Sequence, residues 1–192
     1  MATTTSGQQL GKFVALLAAK QPTPGGGAAA AVGASVGSAA ASMAAAYTQR
    51  KKDQESGAAA KAVALIQKLD FEKALKAADE DAVAYADLQR SWKDAEMTAE
   101  EKKAIEARAL AVPVSLVELC HDYILAIQTF LPDCNPIITS DAKVGIHQLA
   151  GAARAAYQTV LVNSPPQAEK DRLKTLLLEI RKIEDDLLET GG

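Results

Sequence analysis

The chain has 192 residues, of which 48% are hydrophobic and only 4% are aromatic, and its formal net charge is -3. This length suits one domain, so we expect residues 1–192 to form a single unit. A small negative charge argues against a general nucleic-acid-binding protein, which usually presents a basic surface. The two cysteines form no CxxC pair, which excludes a disulfide framework and favours a reducing, cytoplasmic location.

The predicted elements begin with a helix that follows a capping-box spacing at Ser6 and Gln9 and stops before Pro22. Residues 22–47 read PTPGGGAAAAVGASVGSAAASMAAAY and carry no charge. Such a stretch is long enough to span a bilayer, but alanine, glycine and serine contribute little to membrane insertion. We therefore favour a packed helix over residues 27–48 and expect no membrane partner.

Further helices are predicted from apolar spacing and cap residues. One runs from about residue 57 to 92 and is either straight or bent, and the next opens with a capping box at Thr98 and Glu101. Pro113 either kinks that helix or begins a new one. Ser140 is predicted to cap a helix that begins at Asp141, and a last helix begins near residue 167.

No segment shows the alternation of a β-strand, so the sequence predicts an all-α bundle of about six or seven helices around the small-residue helix. Ala29, Gly33, Gly37 and Ala41 fall four residues apart on one face of that helix. A surface of small side chains lets another backbone approach closely. The helix therefore runs through the middle of the bundle or packs against its copy in a homodimer.

Three glycines, Gly25, Gly26 and Gly27, precede that helix. Their N–H groups include the unpaired donors of a helix start, which a ligand can reach because no side chain covers them. A phosphate loop is excluded, since no GKS or GKT follows and no strand precedes. A small-molecule site is the favoured interpretation, and a structural hinge is the alternative.

Several motifs, in this order, resemble the cyclodeaminase/cyclohydrolase family of folate enzymes. They are PTPGGG at 22–27, TQRKK at 48–52, DAVAY at 81–85, the proline-led helix from 113, and NPIITSDAKVGIHQLAGAARAAYQTVLVN at 135–163. The family includes the C-terminal domain of formiminotransferase-cyclodeaminase and methenyltetrahydrofolate cyclohydrolases. The chain departs from the pattern at Ala28, where serine is usual, and at Thr159, where asparagine is usual.

The resemblance implies that 5-formiminotetrahydrofolate is converted to 5,10-methenyltetrahydrofolate and ammonia by a homodimer. It implies no tightly bound cofactor and no metal, and we expect no formiminotransferase domain in these 192 residues. Two alternatives remain open. One is a methenyltetrahydrofolate cyclohydrolase, and the other is a non-catalytic, folate-binding relative, which Ala28 and Thr159 favour.

The implied reaction needs a proton acceptor, a proton donor and an anionic group near a cationic carbon. Asp141 is the first candidate, and its alternative role is to cap a helix together with Ser140. Asp81 is the second candidate, because it lies one turn before Tyr85 and both can face one pocket; the alternative is an ordinary surface acid. His147 is a further acid or base candidate, with no second histidine at the spacing of a metal site.

A basic cluster, Arg50, Lys51 and Lys52, could bind the glutamate tail of a folate, or could simply place cations at a helix C-terminus. Asn135 and Asn163 could bind the pterin or cap helix ends. The predicted substrate-binding residues are Pro24, Gly25, Gly26, Gly27, Arg50, Lys51, Lys52, Tyr85, Asn135, Ser140 and Asn163.

Overall fold

The computed structural model describes residues 7–189, which form eight α-helices and no β-strand. Seven helices have eight residues or more, which confirms the predicted all-α bundle. Ser6, half of the first predicted capping box, lies outside the described residues. The helices are α1 (Leu10–Leu17), α2 (Gly26–Ala46), α3 (Lys51–Glu55), α4 (Ala58–Lys68), α5 (Phe71–Lys93), α6 (Ala99–Phe130), α7 (Thr139–Val162) and α8 (Gln167–Glu189).

The small-residue helix α2 lies in the middle of the bundle and packs against α4, α5, α6 and α7. Its alanines are buried in the core next to the branched side chains of α6, α7 and α8, because small residues let four neighbouring helices come close to one axis. The largest fully buried side chains are Leu69, Ile124, Ile127, Ile146, Leu149, Leu173 and Ile180.

The helices α2 and α7 run antiparallel, and glycines let their backbones touch. A Cβ atom added to Gly145 would lie 2.8 Å from the Cβ of Ala41 and 2.8 Å from the carbonyl oxygen of Gly37. Farther along, Gly33 faces Ala152 with ordinary van der Waals space. The small-residue face of α2 therefore serves close packing inside the chain.

The helix expected over residues 57–92 is two helices, α4 and α5, with a break at Leu69 and Asp70. Leu69 leaves the helical region with ψ 73°, and the Asp70 carboxylate accepts the Lys73 N–H at 2.8 Å as the N-cap of α5. The Tyr123 hydroxyl accepts the Asp70 N–H at 3.1 Å. This tertiary hydrogen bond fixes the turn, which local periodicity could not reveal.

The helix α6 continues through Pro113 without interruption, and its predicted capping box is present. The Glu101 N–H donates to the Thr98 hydroxyl at 3.2 Å, and the Thr98 N–H donates to Glu101 Oε2 at 2.8 Å. The prediction for Ser140 is wrong. The helix α7 begins at Thr139 with Ile138 as its N-cap, so Ser140 lies inside the first turn.

Among the residues that the structure describes, two helical segments, α2 and residues 99–133, are long and apolar enough to cross a bilayer by length and composition. In α2, 56% of the apolar window is buried inside the bundle, as in the core helix of a globular protein. The expectation of no membrane partner stays a prediction.

Candidate functional site

A cavity of about 690 Å³ lies where the start of α2 meets α5 and the end of α7. Its walls are mostly apolar, with a few polar groups, which is the usual composition of a small-molecule site. The lining residues are Pro22, Thr23, Gly25, Gly26, Gly27, Ala29, Asp81, Ala84, Tyr85, Leu88, Trp92, Ala109, Ala155, Gln158, Thr159, Val162 and Asn163.

One face of α5 forms a wall of the cavity. Asp81, Tyr85, Leu88 and Trp92 follow one another at intervals of three or four residues, so they share that face. Leu88 also packs with Ala84 and with Ala109 of α6 in a small apolar cluster. Asp81 and Tyr85 therefore face one pocket, as their spacing predicted.

The Asp81 carboxylate lies directly over Gly27. A Cβ atom added to Gly27 would overlap the carboxylate carbon and both of its oxygens. The neighbouring glycines are different, since added Cβ atoms would meet only Pro22 O at 3.8 Å from Gly25 and Thr159 Oγ1 at 4.0 Å from Gly26. Gly27 thus makes room for the carboxylate, whereas Gly25 and Gly26 leave the backbone open to the cavity.

Asp81 also substitutes for a capping side chain at the start of α2. The N-cap residue is Gly25, which has no side chain to offer, and the Ala28 N–H donates to the Asp81 carboxylate. The N–H groups of Gly26 and Gly27 have no acceptor within the helix, as in any first turn. Both residues line the cavity, so their N–H groups are candidate donors to a ligand.

Burial raises the pKa of the Asp81 carboxyl above its usual value, and the hydrogen bond from the Ala28 N–H opposes this shift only in part. The carboxyl is partly buried beside an apolar wall, so water solvates its charged form poorly. A raised pKa lies closer to neutral pH. A carboxyl with such a pKa is better suited to accept a proton and then donate it.

The end of α7 supplies the opposite polar groups. Thr159 and Asn163 are one turn apart and line the cavity with Gln158. The Asn163 side chain donates to the Thr159 carbonyl at 3.0 Å and lies at the C-cap of α7. Asn163 therefore caps the helix, which was one of its two predicted roles, and it also lines the cavity. Its binding to a pterin stays a prediction.

The basic cluster lies at the other end of α2, about 30 Å away along a helix of this length. Arg50 forms a double ion pair with Asp53, with both N···O distances at 2.7 Å. Lys51 is exposed and makes only a loose pair with Glu55 at 3.9 Å. These cations do not reach the cavity of their own chain.

Asn135 is buried at that same end and is used by the protein itself. Its N–H donates to the Thr48 hydroxyl at 3.0 Å, its side-chain amide donates to the Tyr47 carbonyl at 3.1 Å, and its side-chain oxygen accepts the Ile137 N–H at 3.2 Å. These bonds join the loop before α7 to the end of α2.

Asp141, the first catalytic candidate, also lies at this far end. It is 18 residues from Thr159, or about 27 Å along α7, and so lies outside the cavity. The Ser140 hydroxyl donates to Asp141 Oδ2 at 3.2 Å. The two carboxylates that were the first and second catalytic candidates therefore lie near opposite ends of α7 in the structure.

His147 faces α8 and not the cavity. Its Nδ1 lies 3.1 Å from Glu184 Oε1, and Arg154 pairs with the other oxygen of Glu184. Burial of Glu184 would raise its pKa, but the hydrogen bonds from Arg154 and His147 outweigh burial and hold the pKa below its usual value. This arrangement joins α7 to α8.

Eleven of the lining residues were not among the predicted site residues, and the polar or aromatic ones among them are Thr23, Trp92, Gln158 and Thr159. Two signals pointed to some of them: Trp92 continues the spacing of Asp81 and Tyr85, and Thr159 lies one turn before Asn163. Pro24, which was predicted, is not among the lining residues. Within residues 7–189, no three His, Cys, Asp or Glu side chains come together to hold a metal ion, and a metal-free site stays a prediction.

A helical bundle with an apolar cavity, closed at one end by a carboxylate and a helix start, has the architecture of a small-molecule site. The family model described as formiminotransferase-cyclodeaminase matches residues 9–182. The chain therefore belongs to this family, and the resemblance drawn from its motifs is confirmed.

The fold is similar to that of a solved protein, the formiminotetrahydrofolate cyclodeaminase of Thermotoga maritima. The TM-score is 0.79 at 20% sequence identity, and the match covers 93% of this chain and 91% of that chain. At this identity, the likeness shows a shared fold. A search of curated proteins gives no match.

Proposed function

We propose that the chain is a folate one-carbon enzyme that converts 5-formiminotetrahydrofolate to 5,10-methenyltetrahydrofolate and releases ammonia. The observation that carries this proposal is the Asp81 carboxyl, which lies in an apolar cavity against the start of α2 with a raised pKa. Family membership supports a folate ligand, and the cavity of about 690 Å³ is large enough for a two-ring molecule.

In the proposed reaction, N10 attacks the formimino carbon carried by N5, and a new carbon–N10 bond forms. The formimino nitrogen gains two protons, one originally on N10 and one from solvent, and leaves as ammonia. The product is a cation shared between N5 and N10. A single carboxyl can take the N10 proton and return it to the departing nitrogen.

Asp81 is the proposed catalytic residue for both proton transfers. Its ionised form also lies where a negative charge would stabilise the methenyl cation. The N–H groups of Gly26 and Gly27 suit an oxygen acceptor such as the pterin carbonyl. Tyr85 and Asn163 line the same cavity and are proposed to contact the substrate. No tightly bound cofactor enters this scheme.

We also propose a homodimer formed through the exposed face of α2 and α7. The exposed side chains on this face are apolar and include Val36, Met43, Tyr47 and Val144, and α2 has no charged residue. If the two copies of α2 cross antiparallel, the basic residues 50–52 of one copy approach the glycine end of the other. That arrangement would give Lys51 and Lys52 access to the glutamate tail of a bound folate.

Two other functions remain as alternatives. Water addition to the methenyl cation, the cyclohydrolase reaction, needs the same cavity and a similar proton acceptor. A non-catalytic folate-binding relative is favoured by one observation, which is that the departures from the family pattern at Ala28 and Thr159 lie at the site. The Ala28 N–H donates to Asp81, and Thr159 lines the cavity. A cytoplasmic location fits both cysteines, which are free and buried.

The test follows 5,10-methenyltetrahydrofolate by its absorbance with purified protein, in two directions. Supplied with 5-formiminotetrahydrofolate, the enzyme is expected to produce the methenyl signal faster than a buffer blank. Supplied with the methenyl compound, a cyclohydrolase would instead consume it. If a folded protein binds tetrahydrofolate but changes the absorbance in neither assay, the non-catalytic alternative replaces the proposal.

A further inference from the structure

We propose that Trp92 stacks on the second aromatic ring of a two-ring ligand and thereby selects folates over simple pterins. The inference rests on the proposed function, because it concerns how the same cavity recognises its substrate. It adds a positioning residue that neither the family motifs nor the proton chemistry requires.

The first observation is the position and exposure of Trp92. It is the only tryptophan in the chain, and it lines the cavity although 66% of its surface is exposed. An indole ring gains stability when its apolar face is covered. Nothing in the core covers it, and the ring borders a cavity, so a ligand that fills the cavity mouth would bury it.

The second observation is the neighbourhood of the ring. Tyr85 meets Trp92 edge to face, with ring centroids 6.5 Å apart and an interplanar angle of 86°. Val162, the last residue of α7, lines the same cavity from another helix and is 82% exposed. These side chains form an apolar mouth that suits a flat ring lying against Trp92.

The third observation is distance. Trp92 is 11 residues after Asp81 on α5, or about 16 Å along the helix axis. A single pterin at the Asp81 end cannot extend that far. A tetrahydrofolate carries its aminobenzoyl ring beyond the N5–N10 bridge, so the reacting carbon can lie near Asp81 while the second ring reaches Trp92.

The test measures binding by isothermal titration calorimetry with two probes, 5-formyltetrahydrofolate, which has both rings, and 6-methyltetrahydropterin, which lacks the aminobenzoyl ring. Trp92→Leu is expected to weaken binding of the two-ring probe by about tenfold, the magnitude of an aromatic stacking contact. The same variant should leave affinity for the one-ring probe unchanged. Trp92→Phe should retain most of the affinity for the two-ring probe.

Phe71→Leu is the matched control, because Phe71 is an exposed aromatic residue at the opposite end of α5 and outside the cavity. It should bind both probes as the wild type does. A second measurement needs no variant: acrylamide quenching of the single tryptophan should fall when the two-ring probe binds and should not fall with the one-ring probe.

Each outcome separates the two proposals. If the wild type binds the two-ring probe and Trp92→Leu binds it equally well, the stacking role is overturned and the proposed function stands. The stacking role is also overturned if Trp92→Leu loses affinity for both probes equally. The same holds if the variant sediments differently from the wild type while its affinities are unchanged. If the wild type binds neither probe, the proposed function itself fails.

Discussion

The two ends of the α2–α7 pair contain similar polar residues and differ in what surrounds them. At the glycine end, Asp81 and the backbone N–H groups of α2 border a cavity. At the basic end, Arg50 pairs with Asp53 and the Asn135 side chain is hydrogen-bonded within the loop and to α2. Polar groups whose hydrogen bonds hold helices together have few donors or acceptors left for a ligand. Polar groups that border a cavity remain able to bind one.

The difference teaches that a motif residue must be judged by its partners in space. Asp141 and Asp81 were both candidates because each lies within a family motif, Asp141 at a predicted helix start and Asp81 one turn before Tyr85. Only Asp81 has burial, a neighbouring helix start and a cavity at the same point. The following predictions test this contrast, from the largest expected effect to the smallest.

Asp81→Asn is expected to lower turnover of 5-formiminotetrahydrofolate by at least about a hundredfold, because the amide can neither accept nor return the proton. Asp141→Asn at the other end should change turnover by less than about tenfold. Steady-state kinetics on both variants gives the comparison. A larger loss in Asp141→Asn than in Asp81→Asn would reverse the assignment of the catalytic end.

Gly27→Ala should reduce activity nearly as much as Asp81→Asn does, because its Cβ would occupy the position of the Asp81 carboxylate. Gly26→Ala is the matched control, since its Cβ has room and alanine favours the helix by about 1 kcal/mol. Gly26→Val, which is bulkier, should keep the fold and weaken folate binding. Equal activities in Gly27→Ala and Gly26→Ala would show that the position of the carboxylate is unimportant.

Gly145→Ala should destabilise the protein by about 1–3 kcal/mol, because the added methyl group forces α2 and α7 apart. Gly151→Ala, on the same helix, meets no atom within 4 Å and should stabilise the fold by up to about 1 kcal/mol. Urea unfolding of the pair measures the difference. Gly33→Leu should also push α2 and α7 apart, because Gly33 faces Ala152, and it should disturb assembly. A normal dimer in that variant would contradict this expectation.

Asp81→Asn should also raise the melting temperature at neutral pH. The folded state raises the pKa of Asp81, so the wild type loses stability as the pH rises through the folded-state pKa. Below the pKa of the unfolded chain, the carboxyl is protonated in both states and the variant should gain nothing. Melting curves across this pH range check the sign, and a constant difference at every pH would contradict it.

Lys52→Glu, at the basic end, should have the smallest effect. It is expected to raise the KM for substrates with several glutamates by about two- to fivefold, as for one exposed charge pair, and to leave kcat unchanged. The KM for a substrate with one glutamate should rise less. Equal responses to both substrates would remove the basic cluster from tail binding and weaken the proposed dimer geometry.

Much of the fold could be predicted from local sequence because helix starts and apolar faces are local properties. The capping box at Thr98 and the small-residue face around Gly37 both appear in the structure. The break at Asp70 was missed because a hydrogen bond from the Asp70 N–H to Tyr123, 53 residues away, helps to fix it.

The site was only partly predictable for the same reason. Asp81 and Tyr85 were paired correctly by their spacing on α5, but the meeting of Asp81 with Gly27 joins two helices that are distant in sequence. The separation of Asp141 from the cavity follows from the antiparallel order of α2 and α7, which no motif encodes. Spacing therefore identified the residues of one helix, and tertiary packing determined which helices combine.

The hydrogen bond from the Ala28 N–H to Asp81 has a consequence for the motions of the protein. A neutral carboxyl accepts this bond less strongly than a carboxylate, so each proton taken up by Asp81 loosens the first turn of α2. The protection of the Ala28 amide against deuterium exchange, relative to its intrinsic rate at each pH, should then fall when Asp81 is protonated. Backbone exchange at one residue would report the protonation state of the Asp81 carboxyl without any substrate.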